Sequence, residues 1–123
     1  MLKLPFPSAP DEVLVRGVLE DRPREFELLV LRHRRNAYAL AGAIGVPPLS
    51  LEEIVQDSFL QAFEHLPHLR HHENFGLWFL NIVRNTARRF MREKISMHVL
   101  RLPDLEQWDE AERFEQEEFN ELL

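Results

Sequence analysis

The sequence predicts an all-α fold: a compact bundle of about four helices followed by an acidic C-terminal tail. Three observations carry this. Apolar residues recur with a 3.6-residue period through most of the chain. No stretch shows the apolar–polar alternation of a half-buried strand, and four glycines are too few for a loop-rich β protein. The prolines fall between the periodic stretches, where they punctuate helices without breaking them.

Pro5, Pro7 and Pro10 keep the first ten residues irregular. A short helix is expected from about Asp11 to Asp21, with Leu14 and Val18 facing inward and Val15 as a further candidate. Pro23 suits the first turn of a second helix, whose stripe is Phe26, Leu29, Val30, Ala37, Leu40, Ala41 and Ile44. Gly45, Pro47 and Pro48 end it. Ser50 with Glu53 reads as a capping box opening a third helix, each side chain placed to satisfy a first-turn N–H. Its expected buried face is Leu51, Ile54, Val55, Ser58, Phe59, Ala62, Phe63 and Leu66, and Pro67 stops it.

A loop follows to Glu73, and Asn74 is a good N-cap for the fourth helix. That helix is expected to bury Phe75, Phe79, Ile82, Val83, Thr86 and Phe90 and to end near Ser96. Pro103 marks the boundary between a packed domain, residues 1–102, and the acidic tail, residues 103–123. In the tail Leu105, Trp108, Ala111, Phe114, Phe119 and Leu122 recur at roughly helical spacing among acids.

At 123 residues, 45% hydrophobic and 29% charged, the chain has the length and composition of one globular domain with a modest core. No apolar run approaches the ~18 residues that span a bilayer, and no signal-peptide pattern opens the chain. Cysteine is absent, which excludes disulfides and thiolate metal sites and suits a reducing cytoplasm. The net charge of −6 hides an asymmetry. Residues 1–102 carry 14 Lys/Arg against 12 Asp/Glu, whereas residues 103–123 carry one Arg against nine Asp/Glu. A basic stretch (Arg84, Arg88, Arg89, Arg92, Lys94, Arg101) thus lies beside an acidic tail, and each half suits a different partner.

Catalytic chemistry is not apparent. The chain has no glycine-rich phosphate loop, no His-Glu-x-x-His pair and no nucleophile–base set, so a non-enzymatic module without a cofactor is expected. Histidines cluster at His65, His68, His71 and His72, but Pro67 interrupts the helical spacing that would let the first two chelate. No carboxylate is spaced as a third ligand, so no metal site is expected. The fourth helix says more. Opposite its apolar stripe it is expected to present Asn81, Arg84, Asn85, Arg88 and Arg92, with Trp78 near its start. Guanidinium and amide groups both make paired hydrogen bonds to phosphates and base edges. A solvated helix face carries the same residue types, so the pattern alone leaves both readings open.

Three segments sharpen the choice. Phe26-Glu27-Leu28-Leu29-Val30 with His33 and Tyr38, then Ser50-Leu-Glu-Glu-Ile-Val-Gln-Asp-Ser-Phe59, then Phe75-Gly-Leu-Trp78 through Ile82-Val-Arg-Asn-Thr-Ala87 occur in order. They resemble the core domain, region 2, of bacterial RNA polymerase sigma factors of the extracytoplasmic-function (ECF) group. The second and third segments are similar to that family's DAEDLVQETF and FRTWLYRIARNLA stretches. Asp11-Glu-Val-Leu-Val-Arg16 is similar to its N-terminal helix, so the resemblance covers roughly residues 11–95.

The resemblance implies a cytoplasmic transcription initiation factor domain that binds core RNA polymerase and recognises and melts the promoter −10 element. Docking on the clamp helices of the polymerase's largest subunit falls on Glu52, Glu53, Gln56 and Asp57. The first two also suit the helix dipole as first-turn acids, a bias that does not account for Gln56 and Asp57. Capture of the non-template strand, with a flipped base, falls on the loop from Leu69 to Asn74, including His71 and His72, and on Trp78, Asn81, Arg84, Asn85, Arg88 and Arg92. Leu77 stands where the family usually has Thr, Asn81 where Arg is frequent and Arg89 where Asp is common; these departures bear on the promoter sequence read.

The family normally carries a second domain with a helix-turn-helix, region 4, so the chain is expected to be a piece of such a protein, its tail the start of the linker. The alternative is a sigma-like protein-interaction module, held by an anti-sigma factor or an adaptor, without DNA binding of its own.

Overall fold

The computed structural model describes residues 9–98, with side chains over 9–94. It has four α-helices in chain order: α1 Asp11–Leu19, α2 Glu25–Ile44, α3 Pro48–His65 and α4 Phe75–His98. Two 3₁₀ turns, Leu66–His68 and His72–Asn74, connect α3 to α4. No strand occurs among the described residues. The expected all-α bundle is therefore present, whereas the readings for residues 103–123 and for the boundary at 102 lie outside the described residues.

Each helix boundary has a local cause. Pro10 is extended and precedes α1, whose first turn carries Asp11 and Glu12 against the positive end of the helix dipole. α1 stops earlier than expected, because Asp21 takes a left-handed conformation (φ 68°) and the Arg22 N–H reaches back to the Gly17 carbonyl at 2.9 Å. That six-to-one bond is the usual way a helix end satisfies its last carbonyls. Gly45 (φ 115°) ends α2 in the same manner, with the Val46 N–H on the Ala41 carbonyl at 3.1 Å and Val46 buried beneath the turn.

α3 begins two residues before the expected capping box. Pro48 occupies its first turn and no side chain caps it, so Ser50 lies within the helix. A proline pre-set at helical φ nucleates the turn without a capping hydroxyl. Pro23 falls in the turn before α2 rather than within it, and Asn74 closes a 3₁₀ turn directly before the first residue of α4.

α2, α3 and α4 pack against one another, and α1 lies across α2, α4 and the second 3₁₀ turn. A Cβ placed at Gly76 would lie 3.2 Å from His33 Cε1, and one at Gly45 would lie 3.5 Å from Met91 Cε. The starts of α2 and α4 therefore sit together, as do the later parts of each, and the two helices run parallel. α3 runs back between them, its Phe63 meeting Phe26 at the start of α2 with ring centroids 5.2 Å apart. At that end the aromatic rings condense. Phe59 stacks on Phe79 at 4.2 Å, Phe75 lies 5.8 Å from Phe79, and Phe26 meets Phe59 and Phe75 edge-on. Phe75 and Phe79 are wholly buried.

One polar cluster ties α1 to this core. Asp11 Oδ1 accepts from Arg32 Nη1 and its Oδ2 lies against His33 Nε2, both at 2.9 Å. The same guanidinium nitrogen donates to the Ala9 carbonyl at 2.6 Å. The His33 ring in turn lies 5.2 Å from Phe75. A carboxylate shared by two α2 side chains thus fixes where α1 begins, while Leu14 and Val15 bury its apolar side.

Phe79→Ala is expected to cost about 3–5 kcal/mol through the cavity it leaves. Asp11→Ala is expected to cost roughly 1–3 kcal/mol through lost charge-assisted bonds. Urea unfolding followed by circular dichroism should rank them in that order; a larger loss for Asp11→Ala would show that α1 docking, and not the aromatic cluster, dominates stability.

Candidate functional site

The outer side of α3 carries Glu52, Glu53, Gln56 and Asp57, all exposed. Gln56 Nε2 donates to Glu52 Oε1 at 3.2 Å, and Gln61 Nε2 donates to Asp57 Oδ2 at 3.1 Å, so two of the acids are held by amides one turn on. Between the acids the same face exposes Leu49 fully, Leu60 at 63% and Phe63 at 44%. Leu49, Gln56, Leu60 and Phe63 fall seven, four and three residues apart, which is one line on a helix.

Phe63 was expected inward. Ile54, Val55, Ser58, Phe59, Ala62 and Leu66 already fill the inner arc. Phe63 falls at its flank, its ring against Phe26 and the rest in water. Leu49 and Leu60 were not singled out from the sequence, although Leu60 stands off the 3.6-residue stripe and so pointed outward. An apolar strip edged by carboxylates suits a partner that is itself apolar and basic, because each acid borders the contact without being buried in it.

The α4 side differs from its expected form. Trp78, Asn81 and Asn85 are buried, at 2%, 5% and 8% exposure, and do not stand on an open face. The reason is the packing of α4 against α1, α2 and α3 together. Three neighbours bury an arc that takes in Phe75, Trp78, Phe79, Asn81, Ile82, Val83, Asn85, Thr86 and Ala87. A single apolar stripe in the sequence marked only the middle of that arc.

What remains toward solvent is a line of Leu77, Leu80, Arg84, Arg88 and Met91. Leu77 and Arg88 are exposed and the others half-buried. Arg92 is half-buried, and Arg89 is exposed off this line. In the connecting turns His71 is exposed with its Nδ1 3.7 Å from Glu73 Oε1, while His72 and Asn74 are half-buried. His65 and His68, both exposed, place their rings 5.9 Å apart, and among the described residues no three His, Asp or Glu converge as metal ligands. No helix among the described residues is long and apolar enough to cross a membrane.

Residues 29–95 match the family described as Sigma-70 region 2, and the chain belongs to that family. It is 32% identical over 81 residues to the ECF RNA polymerase sigma-E factor of Salmonella typhimurium strain LT2, covering 66% of this chain and 42% of the relative. The protein of the same name from Escherichia coli strain K12 is 31% identical over the same shares. The RNA polymerase sigma factor NccH of Alcaligenes xylosoxydans xylosoxydans is 32% identical over 90 residues, 73% of this chain and 48% of the relative. The chain spans less than half the length of these relatives.

The burial pattern separates structural from surface residues on α4. Trp78→Ala should lower stability by about 3–5 kcal/mol, and Arg88→Ala should stay within about 0.5 kcal/mol of the parent. Thermal unfolding of the two variants tests this; equal stability would contradict the burial of Trp78.

Proposed function

From membership of the sigma-70 region 2 family, we propose that this chain is the part of a transcription initiation factor that joins core RNA polymerase to an opened promoter. It acts by binding and is not an enzyme. α3 docks on the clamp helices of the polymerase's largest subunit, with Glu52, Glu53, Gln56 and Asp57 around Leu60 and Phe63. The observation that carries this reading is the outer face of α3, where four polar residues and three large apolar ones share one exposed surface. A mere preference of acids for a helix N-terminus would not place exposed leucine and phenylalanine among them.

The second half of the proposal is capture of the non-template strand of the −10 element. His71, His72 and Asn74 in the turns and Arg84, Arg88 and Arg92 on α4 supply the contacts. Trp78, Asn81 and Asn85, as buried groups, back this surface and hold its shape. Unstacking a base costs a few kcal/mol, so phosphate contacts and a shaped pocket must together offset that cost. Binding inside the polymerase assembly lowers the demand on each contact, since the strand is already delivered beside α4. The working compartment is then the bacterial cytoplasm, where polymerase and promoter meet. An anti-sigma factor is a further partner that the α3 face suits.

Pull-down with core RNA polymerase tests the first half. Asp57→Lys is expected to weaken binding about tenfold, roughly 1.4 kcal/mol; unchanged affinity would remove α3 from the interface. Crosslinking of the assembled complex to fork-junction DNA tests the second half. Three phosphate contacts predict a slope of log affinity on log salt near −2, because single strands contribute about −0.7 per contact, and Arg88→Ala should flatten it by about 0.7. A salt-independent affinity, or polymerase binding without any strand crosslink, would favour a module that binds protein alone.

A further inference from the structure

Gln61 joins the two halves of the molecule. Its Nε2 lies 3.1 Å from Asp57 Oδ2 and 2.9 Å from Thr86 Oγ1, and Thr86 Oγ1 lies 2.8 Å from the Ile82 carbonyl. The chemistry of these groups fixes the direction of every bond. A carbonyl oxygen and a carboxylate only accept, a hydroxyl has one proton, and a primary amide nitrogen has two. The Thr86 proton is therefore committed to Ile82. The Thr86 oxygen accepts one Gln61 proton, and the other Gln61 proton goes to Asp57. The amide nitrogen, not its oxygen, must face both partners.

Thr86 is buried at 4% exposure on the rigid inner side of α4, whereas Asp57 is exposed on the outer side of α3. We infer that Gln61 is a positioning residue: it holds the Asp57 carboxylate in one orientation by anchoring it to Thr86 of α4. An exposed aspartate otherwise samples several staggered rotamers. Ordering the carboxylate before a partner arrives removes that freedom from the binding step and raises affinity without a contact of Gln61's own. The benefit to polymerase docking rests on the reading of the α3 face given above, but the hydrogen-bonded relay does not.

The test has two arms on the full chain. The first reads the Asp57 carboxyl carbon by NMR in the free protein. Thr86→Val keeps the approximate shape of the buried side chain and removes its hydroxyl, losing the acceptor for Gln61 together with the bond to the Ile82 carbonyl. Both Thr86→Val and Gln61→Ala should move the Asp57 signal while leaving that of Glu53, on the same face, in place. An Asp57 signal that stays put in Thr86→Val overturns the relay.

The second arm measures affinity for core RNA polymerase in a double-mutant cycle. Gln61→Ala and Thr86→Val are each expected to weaken binding about threefold, and to change nothing further in an Asp57→Ala background, which has no acceptor for Gln61. Losses that persist in that background mean that Gln61 makes its own contact, which overturns the positioning role. Should Asp57→Ala leave polymerase affinity intact while the NMR shifts appear, the relay stands and the docking reading is the one that fails.

Discussion

A helix packed on three sides keeps only a narrow strip for the outside, and in this molecule α4 is that helix. Its buried arc holds two wholly enclosed phenylalanines, a tryptophan, two asparagines and a threonine. Its exposed strip runs through Leu77 and Arg88, with Leu80, Arg84 and Met91 half-covered along it and Arg89 exposed to one side. Every other element is arranged around this division. α2 runs parallel to α4, α3 returns between them, and α1 closes the end where the aromatic rings meet. Because α3 packs directly on α4, the proposed polymerase face and the proposed strand-binding face are two outer sides of one core.

The core itself is aromatic where the helices start and finish together. Stacked and edge-on rings of Phe26, Phe59, Phe75 and Phe79 gain from quadrupole geometry beyond the area they bury. That rigidity matters for a binding module, since neither proposed face is built on a loop alone. The carboxylate of Asp11 performs a related task at the edge. It faces His33, whose ring also lies against the core, so the polar tie and the apolar packing share a residue.

Most of the fold was legible because helix periodicity and proline placement report on backbone geometry directly. Gly45 ended α2 as its lack of a side chain allows, and the inner residues of α3 from Ile54 to Ala62 were readable from spacing. The start of α3 was misread because Ser50 and Glu53 imitate a cap that Pro48 makes unnecessary. The α4 surface was misread for a deeper reason. Asn81 and Asn85 are polar, and a residue-by-residue reading sends polar side chains to water; only the number of neighbours around a helix decides otherwise. The exposure of the α3 acids was legible because they lie off that helix's apolar stripe. The exposed Leu49 and Leu60 were visible only once the inner arc was known to be full.

The carboxylates bordering the apolar strip of α3 also govern how copies of the molecule meet. Leucine and phenylalanine laid open on a helix would ordinarily invite a second identical helix to cover them. Here such a pairing would press Glu52, Glu53 and Asp57 against their own counterparts, like charge on like charge. A border of this charge, suited to a cationic surface, therefore disfavours its own image by charge instead of by shape.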